Sequence, residues 1–192
     1  MPWTVYDPKL DEEEVHMPKG VAYMVISSSA SSYTKSVNKT CKEIIRIFKR
    51  LNLQTFIIMG AQDTPWRFRQ RKYSDLKVTR IMDHFAASGI RRRFNGAVSV
   101  SLSEFEVWFK DLLYSVRVNA VVQEMFFMDT NQSLYFSPCQ YGNLHLTLLD
   151  QLLLLELNNA IDHSELIHIS RGDCGSESYN AGGIPGRRST YY

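Results

Sequence analysis

The sequence predicts an α+β protein, a single compact domain in which a mixed or antiparallel sheet packs with three to four helices. Its 192 residues suit one domain, and a hydrophobic content of 44% is enough to build a core. Strand and helix patterns follow one another without the regular alternation of a doubly wound sheet. The core is expected at residues 20–170. An acidic flexible arm at 1–19, whose prolines oppose regular structure, should precede it, and a disordered tail at 171–192 should follow.

Two strands flank a long amphipathic helix at the start of the core. Residues 21–26 are apolar and β-branched, and residues 54–59 are apolar and closed by a glycine, so both segments predict strands. Between them, residues 34–51 have apolar side chains at spacings of four, three, four and three, which place them on one helix face. That face would consist of Val37, Cys41, Ile44, Phe48 and Leu51.

A second helix is expected after an irregular basic and aromatic loop at 61–73. Ser74 can cap this helix, and Gly89 can end it because glycine readily adopts the left-handed conformation found after helix C-termini. The side chains predicted to face inward are Leu76, Ile81, Met82 and Phe85.

A half-exposed strand and a third helix come next. Residues 97–102 alternate between apolar and polar, which is typical of a strand with one solvated face. Ser103 and Glu106 have the three-residue spacing of a capping box, so the helix is expected to begin there. It would bury Phe105, either Trp108 or Phe109, Leu112 and Val116.

A hairpin, a helix and two short strands are predicted for the last part of the core. Residues 121–128 and 134–137 flank a polar turn and predict the hairpin, and residues 143–146 add a strand. Residues 148–161 are apolar nearly all round, which predicts a helix at the centre of the core. A final strand is expected at 166–169.

Charge is sorted along the chain. Residues 35–93 contain 15 Lys or Arg and 4 Asp or Glu, whereas residues 94–192 contain 5 basic and 11 acidic residues. The formal net charge of +2 therefore hides a basic segment and an acidic one. A concentrated positive field attracts anionic surfaces such as nucleic acid, lipid head groups or an acidic protein.

The outer face of the helix at 34–51 is the first candidate binding site. Its basic residues also recur at spacings of four, three, four and three, so they lie along one line opposite the apolar face. They are Lys35, Lys39, Lys42, Arg46 and Lys49. A helix that is apolar behind and basic in front suits phosphates or lipid head groups, and an ordinary solvated face is the alternative.

A basic loop at 65–72 and an arginine run at 91–93 are the other candidate anion-binding sites. The loop residues are Arg67, Arg69 and Arg71, which alternate with the aromatic residues Trp66 and Phe68. Arginines with aromatic rings suit single-stranded nucleic acid or a membrane interface, unless the rings pin the loop to the core. The run consists of Arg91, Arg92 and Arg93. It follows a helix end, where cations also interact favourably with the helix dipole.

No catalytic signature occurs, so a non-enzymatic protein without metal or cofactor is expected. The sequence has no phosphate-binding loop, no zinc-protease or serine-hydrolase motif and no CxxC pair. The five histidines lack ligand spacing, and the three cysteines are widely separated, which favours reduced thiols. Acidic residues stand where a signal peptide needs an apolar stretch, and no segment is apolar enough to span a bilayer. We therefore expect a cytoplasmic protein that is not secreted and that associates peripherally with a membrane or with a virion.

The order of elements over residues 5–137 is a further signal. Its first half consists of Tyr6-Asp7-Pro8, the strand VAYMVIS, a polar loop, a helix and FIIMGAQDTPWRF. Its second half consists of FNGAVSVSLS, a helix and the hairpin around MFFMDTNQSLYF. This order resembles that of rhabdovirus matrix proteins and their matrix-like accessory proteins, although the chain lacks a Pro-Pro-x-Tyr motif and its arm is acidic. The resemblance implies a small cytosolic assembly protein without enzymatic activity.

These signals predict a matrix-like viral assembly protein that links a ribonucleoprotein to the inner membrane leaflet through its basic face. The expected partners are the nucleocapsid or RNA, an anionic membrane surface and further copies of the chain, because opposite patches on one molecule favour head-to-tail self-association. Two alternatives remain open. One is a nucleic-acid-binding regulator or silencing suppressor that uses the same face. The other is a charged inhibitor or immunity-type module that binds one protein.

Overall fold

The computed structural model describes residues 3–7, 12–16, 19–60, 64–67, 76–118, 120–121 and 125–169. Within these ranges the chain forms nine strands and four helices, which confirms the predicted α+β class. In chain order they are β1 (Trp3–Asp7), β2 (Glu12–His16), β3 (Ala22–Ser28), α1 (Tyr33–Arg50), β4 (Thr55–Met59), α2 (Leu76–Ala87), β5 (Ala97–Ser101), α3 (Leu102–Arg117), β6 (Phe126–Asp129), β7 (Leu134–Pro138), β8 (Leu144–Leu148), α4 (Gln151–Asp162) and β9 (Leu166–Ile169).

Seven strands form one antiparallel sheet in the order β5-β4-β6-β7-β8-β3-β9. The predicted hairpin is confirmed as β6 and β7, and short turns join β6, β7 and β8 as consecutive neighbours. β3 instead lies between β8 and β9, and α1 carries the chain from β3 to β4 in the other half of the sheet. β5 and β9 are the edge strands.

The core lies between one face of this sheet and the helices. Strand alternation places Phe56, Phe127 and Phe136 on that face, and all three are buried. Phe48 of α1 and Phe105 of α3 pack onto them, with ring centroids 4.7 Å apart for Phe48–Phe56 and 5.0 Å apart for Phe56–Phe105. Burying one such side chain stabilises the fold by about 1.5–3 kcal/mol. The aromatic cluster therefore fixes α1 and α3 on the sheet.

The predicted amphipathic helix is confirmed as α1. Ser32 caps it by accepting a hydrogen bond from the backbone N–H of Lys35. All five residues of the predicted apolar face, between Val37 and Leu51, are buried. The opposite side of α1 therefore faces away from the sheet.

The second predicted helix is confirmed as α2, but one of its inward side chains was assigned wrongly. Leu76 is 81% exposed, because the buried face begins at Val78, and Leu76 lies about 200° around the helix from Val78. Gly89 ends the helix as predicted, with a φ of 83°. The proposed cap, Ser74, lies outside the described residues.

The third helix, α3, begins earlier than predicted. Its cap is Ser101 rather than Ser103, and the Glu104 carboxylate accepts hydrogen bonds from the backbone N–H (3.0 Å) and hydroxyl (2.7 Å) of Ser101. Both serines have a glutamate three residues later, so spacing alone could not separate them. Pairing of Ser101 with Thr55 at the end of the sheet decides which one precedes the helix.

The helix predicted to be central, α4, lies instead at the surface of the helix layer. It begins at Gln151, because residues up to Leu148 belong to β8. Leu153 and Leu157 face the core, whereas Leu152 and Leu155 are exposed. The run of leucines therefore contains two faces, one buried and one in solvent.

The acidic arm contains a two-stranded hairpin, which corrects the expectation that residues 1–19 lack regular structure. β1 and β2 pair antiparallel, with Trp3 opposite His16 and Asp7 opposite Glu12. In the sequence, Pro2 and Pro8 bracket β1 rather than interrupting it, so the prolines do not remove a donor from within the ladder. The predicted disordered tail at 171–192 lies outside the described residues.

Candidate anion-binding surface

The outer face of α1 carries the basic residues that the helical spacing predicted. Their spacing of three and four residues matches the 3.6-residue turn, and the core residues occupy the opposite side. Four of the five side chains are exposed, and that of Lys39 is half-buried. The basic stripe of α1 consists of Lys35, Lys39, Lys42, Arg46 and Lys49.

Two members of the basic stripe are paired with carboxylates. Lys39 Nζ lies 2.7 Å from Oε2 of Glu165, which follows α4. Arg46 Nη1 lies 2.7 Å from Oε1 of Glu43, and Glu43 is buried. The hydrogen bond from Lys39, together with its charge, lowers the pKa of Glu165, so this carboxylate is ionised at neutral pH. Arg46 and Lys39 are therefore partly structural.

The remaining three cations are available to an external anion. Lys35 Nζ donates a hydrogen bond to the Ser31 hydroxyl at 3.1 Å and forms no ion pair within the described chain. Lys42 and Lys49 are exposed and form no ion pair among the described residues; the charge of Lys42 only helps to lower the pKa of Glu165. An approaching phosphate would therefore displace no ion pair at these three positions.

Exposed leucines lie on α4, the helix beside α1. Leu152 and Leu155 are 82% and 76% exposed, respectively. Because they are three residues apart, they are neighbours on one helix face. The buried residues Leu153 and Leu157 occupy the other side of α4. This outer face of α4 therefore presents apolar side chains to solvent.

The exposed leucines lie on a helix that packs against the helix of the basic stripe, because α4 contacts α1. α1 follows β3, whereas α4 leads into β9, which is antiparallel to β3. The ion pair of Lys39 with Glu165 joins the first half of α1 to the end of α4. The charges of Lys42 and Arg46 also help to lower the pKa of Glu165, so the segment after α4 lies near the middle of the basic stripe.

A second group of arginines lies at the end of α2. The run of Arg91, Arg92 and Arg93 is exposed after the Gly89 turn. The Arg67 guanidinium lies 3.5 Å from the carbonyl oxygen of Ile90, so the loop arginine joins this run. α3 contacts both α1 and α2, so it lies between the helix of the basic stripe and the helix that ends before this arginine cluster. The sequence-predicted cations thus form two surfaces rather than one.

The prediction that Trp66 is an interface aromatic is wrong. Trp66 is fully buried, its Nε1 donates a hydrogen bond to the carbonyl of Gly96 (3.0 Å), and its ring packs edge-on against Phe94. A large ring with a satisfied N–H contributes more to stability in the core than at a wet surface. Phe68, Arg69 and Arg71 lie outside the described residues.

Sequence reasoning did not single out His84 and Asp111, which are paired across α2 and α3 with Nδ1 and Oδ2 2.7 Å apart. They are 27 residues apart, so no local spacing could reveal them.

Among the described residues, no group of His, Cys, Asp and Glu side chains could hold a metal ion. Burial raises the pKa of the Cys41 thiol to about 12, which keeps it protonated and unreactive at neutral pH.

Comparison with known proteins found no matching family model, curated protein or solved structure. In the described ranges of the chain, none of the helices has the length and apolar character needed to cross a bilayer.

Proposed function

We propose that the protein is a non-enzymatic, matrix-like assembly protein that binds the anionic inner leaflet of a membrane peripherally. The observation that carries this proposal is that two helices in contact with each other carry exposed cations on one, Lys42 and Lys49 of α1, and exposed leucines on the other, Leu152 and Leu155 of α4. A surface that is both apolar and cationic fits the boundary between acyl chains and anionic head groups.

The magnitudes favour a lipid surface over RNA for this face. Each Lys or Arg near an anionic leaflet contributes about 1 kcal/mol, and each leucine transferred from water contributes about 1.5–3 kcal/mol. Cations and leucines therefore give useful membrane affinity only in combination. Single-stranded RNA would use the cations, but the exposed leucines offer no aromatic ring on which its bases could stack.

The arginine cluster would provide the second attachment of an assembly protein. Arg91, Arg92 and Arg93 are exposed, and they follow a helix that is separated from the basic stripe by α3, so both groups of cations can be occupied at once. In this proposal they contact the ribonucleoprotein. The acidic second half of the chain then favours head-to-tail packing between copies, because opposite patches on one molecule make heterologous contacts.

Vesicle binding tests the membrane part of the proposal. The full chain is mixed with phosphatidylcholine vesicles, with vesicles that also contain phosphatidylserine, and with single-stranded RNA, each over a salt series. Of the two kinds of vesicle, we expect the protein to bind only the one that contains phosphatidylserine. The double variant Leu152→Ser and Leu155→Ser should weaken vesicle binding by about tenfold or more without changing RNA binding. The double variant Lys42→Gln and Lys49→Gln should weaken vesicle binding as well.

The matched control is Leu76→Ser, which removes an equally exposed leucine from α2 and should leave vesicle binding unchanged. Binding to RNA alone would contradict the membrane proposal and support the nucleic-acid-binding regulator. Binding to neither RNA nor vesicles would support the module that binds one protein partner.

A further inference from the structure

β5 is an edge strand whose outer side offers backbone hydrogen-bonding groups. It pairs with β4 on one side only. The N–H of Leu102 donates to the carbonyl of Gln54, which fixes the phase of the antiparallel ladder. In that phase, the backbone groups of Ala97, Ser99 and Ser101 point away from β4.

The outer side of β5 is accessible except at its last residue. The N–H of Ser101 donates to Glu104, whereas Ala97 and Ser99 have no outward partner among the described residues. Exposed edges are usually protected by charged side chains, proline or a bulge. The sequence of β5, AVSVS, contains neither a charge nor a proline. This edge is therefore competent to accept another strand.

A groove of about 460 Å³ lies alongside this edge, between β5, the end of α2 and the start of α3. Its size falls within the range of binding sites for small ligands and short peptide segments. Val107 on its wall is 54% exposed, so apolar surface remains in contact with water there. The apolar lining consists of Val98, Val100, Val107 and Trp108.

The polar lining of the groove favours a cation. Hydrogen bonds from the Ser101 hydroxyl and backbone lower the pKa of Glu104, so this carboxylate is ionised at neutral pH. His84 also lines the groove, and its Nδ1 is occupied by Asp111, which leaves Nε2 for a ligand. No Lys or Arg occurs among the described residues of the lining.

We propose that β5 and this groove bind an extended peptide of another protein. The peptide would add to β5 as a further strand, with its backbone hydrogen-bonded to Ala97 and Ser99. Alternate side chains would enter the groove, where small apolar residues fit the valine walls. A Lys or Arg of the peptide would pair with Glu104. This binding site is separate from the basic stripe and does not depend on the proposed membrane function.

A second copy of the chain fits the groove less well than a peptide. In an edge-to-edge pair, the strand that enters would be the β5 of the other copy. Its Val100 is buried and its Val98 packs against its own core, so neither side chain is free to fill the groove. A peptide has free side chains on both faces and can fill it.

The test is titration of the isotope-labelled full chain with an eight-residue peptide of alternating valine and threonine that has a lysine at each end. We expect saturable shifts of the β5 amide signals. Ser99→Pro removes an outward N–H without breaking the ladder to β4, and it should weaken binding by about tenfold. The control Ser99→Ala keeps that N–H and should bind normally. A second peptide with a glutamate at each end should bind the unmodified protein more weakly than the lysine peptide. Glu104→Gln, whose side-chain oxygen can still accept a hydrogen bond from Ser101, should bind the two peptides equally.

Peptides N-methylated at alternate residues provide a readout that does not require a variant protein. One methylation pattern should abolish binding and the other should preserve it, because only one edge of the peptide faces β5. Absence of saturable binding, or binding that survives Ser99→Pro and both methylation patterns, would overturn the proposal. A concentration-dependent dimer that Ser99→Pro disrupts would assign the edge to a second copy and would overturn it too.

Discussion

Asp129 shows how one buried carboxylate organises a turn. It ends β6, it is buried, and it accepts hydrogen bonds from the backbone N–H groups of Asn131, Ser133 and Leu134 at 2.8–3.0 Å. Gln132 between them has a φ of 57°, which is uncommon for a residue other than glycine. The hairpin therefore depends on Asp129 as much as on the pairing of its strands.

Replacing Asp129 with Ala should destabilise the protein by about 2–3 kcal/mol, because three backbone donors lose their acceptor. The free energy of unfolding in urea measures this loss. Asp162→Ala, at the exposed end of α4, is the control and should change it by less than about 0.5 kcal/mol. Equal effects for the two variants would show that the turn does not need the carboxylate.

Members of the basic stripe should differ in their effect on stability. Arg46→Gln leaves the buried Glu43 without its cation and should lower the free energy of unfolding by about 1–2 kcal/mol. Lys42→Gln removes an exposed charge that forms no ion pair in the described chain and should change the free energy of unfolding by less than about 0.5 kcal/mol. Chemical denaturation of the two variants separates these roles. If Arg46→Gln left the free energy of unfolding unchanged, the buried Glu43 would not need a cationic partner.

At the scale of elements, periodic segments could be predicted and an all-apolar segment could not. The apolar and basic spacings between Lys35 and Leu51 are local, so the sequence alone located α1 and both of its faces. α4 is rich in leucine on every side, and its outward face depends on what α1 and β8 leave uncovered. α4 has more leucines than one buried face can hold, and this excess could have predicted that some of them, such as Leu152 and Leu155, are exposed.

Two leucines of α4 should respond oppositely to the same substitution. Leu153→Asp places an unpaired charge in the core and should abolish cooperative folding, because such burial costs several kcal/mol. Leu155→Asp places the charge in solvent and should leave the thermal midpoint within a few degrees. Circular dichroism during heating measures both. Loss of folding in Leu155→Asp would contradict the exposed position of this side chain.

At the scale of the whole molecule, the fold class was predictable and the arrangement was not. Strand positions follow from local alternation, but the order of the sheet depends on contacts between distant segments, such as Val25 with His145. The groove beside β5 has the same origin, because α2 and α3 approach each other only in the folded chain. The sequence identified the basic residues one by one, but their division between α1 and the end of α2 depends on how the helices pack, which only the structure shows.

The place of β3 in the sheet has a consequence for synthesis of the chain. Both of its neighbours, β8 and β9, lie more than a hundred residues further along. While the chain emerges from the ribosome, β3 and the apolar face of α1 are made long before the strands that cover them, and long-range pairing of this kind is slow. An unfinished chain therefore exposes two unpaired sheet edges and invites capture by chaperones or by other unfinished copies. The edges of β3 therefore remain open to aggregation until β8 and β9, in the last quarter of the chain, have been synthesised and have paired with it.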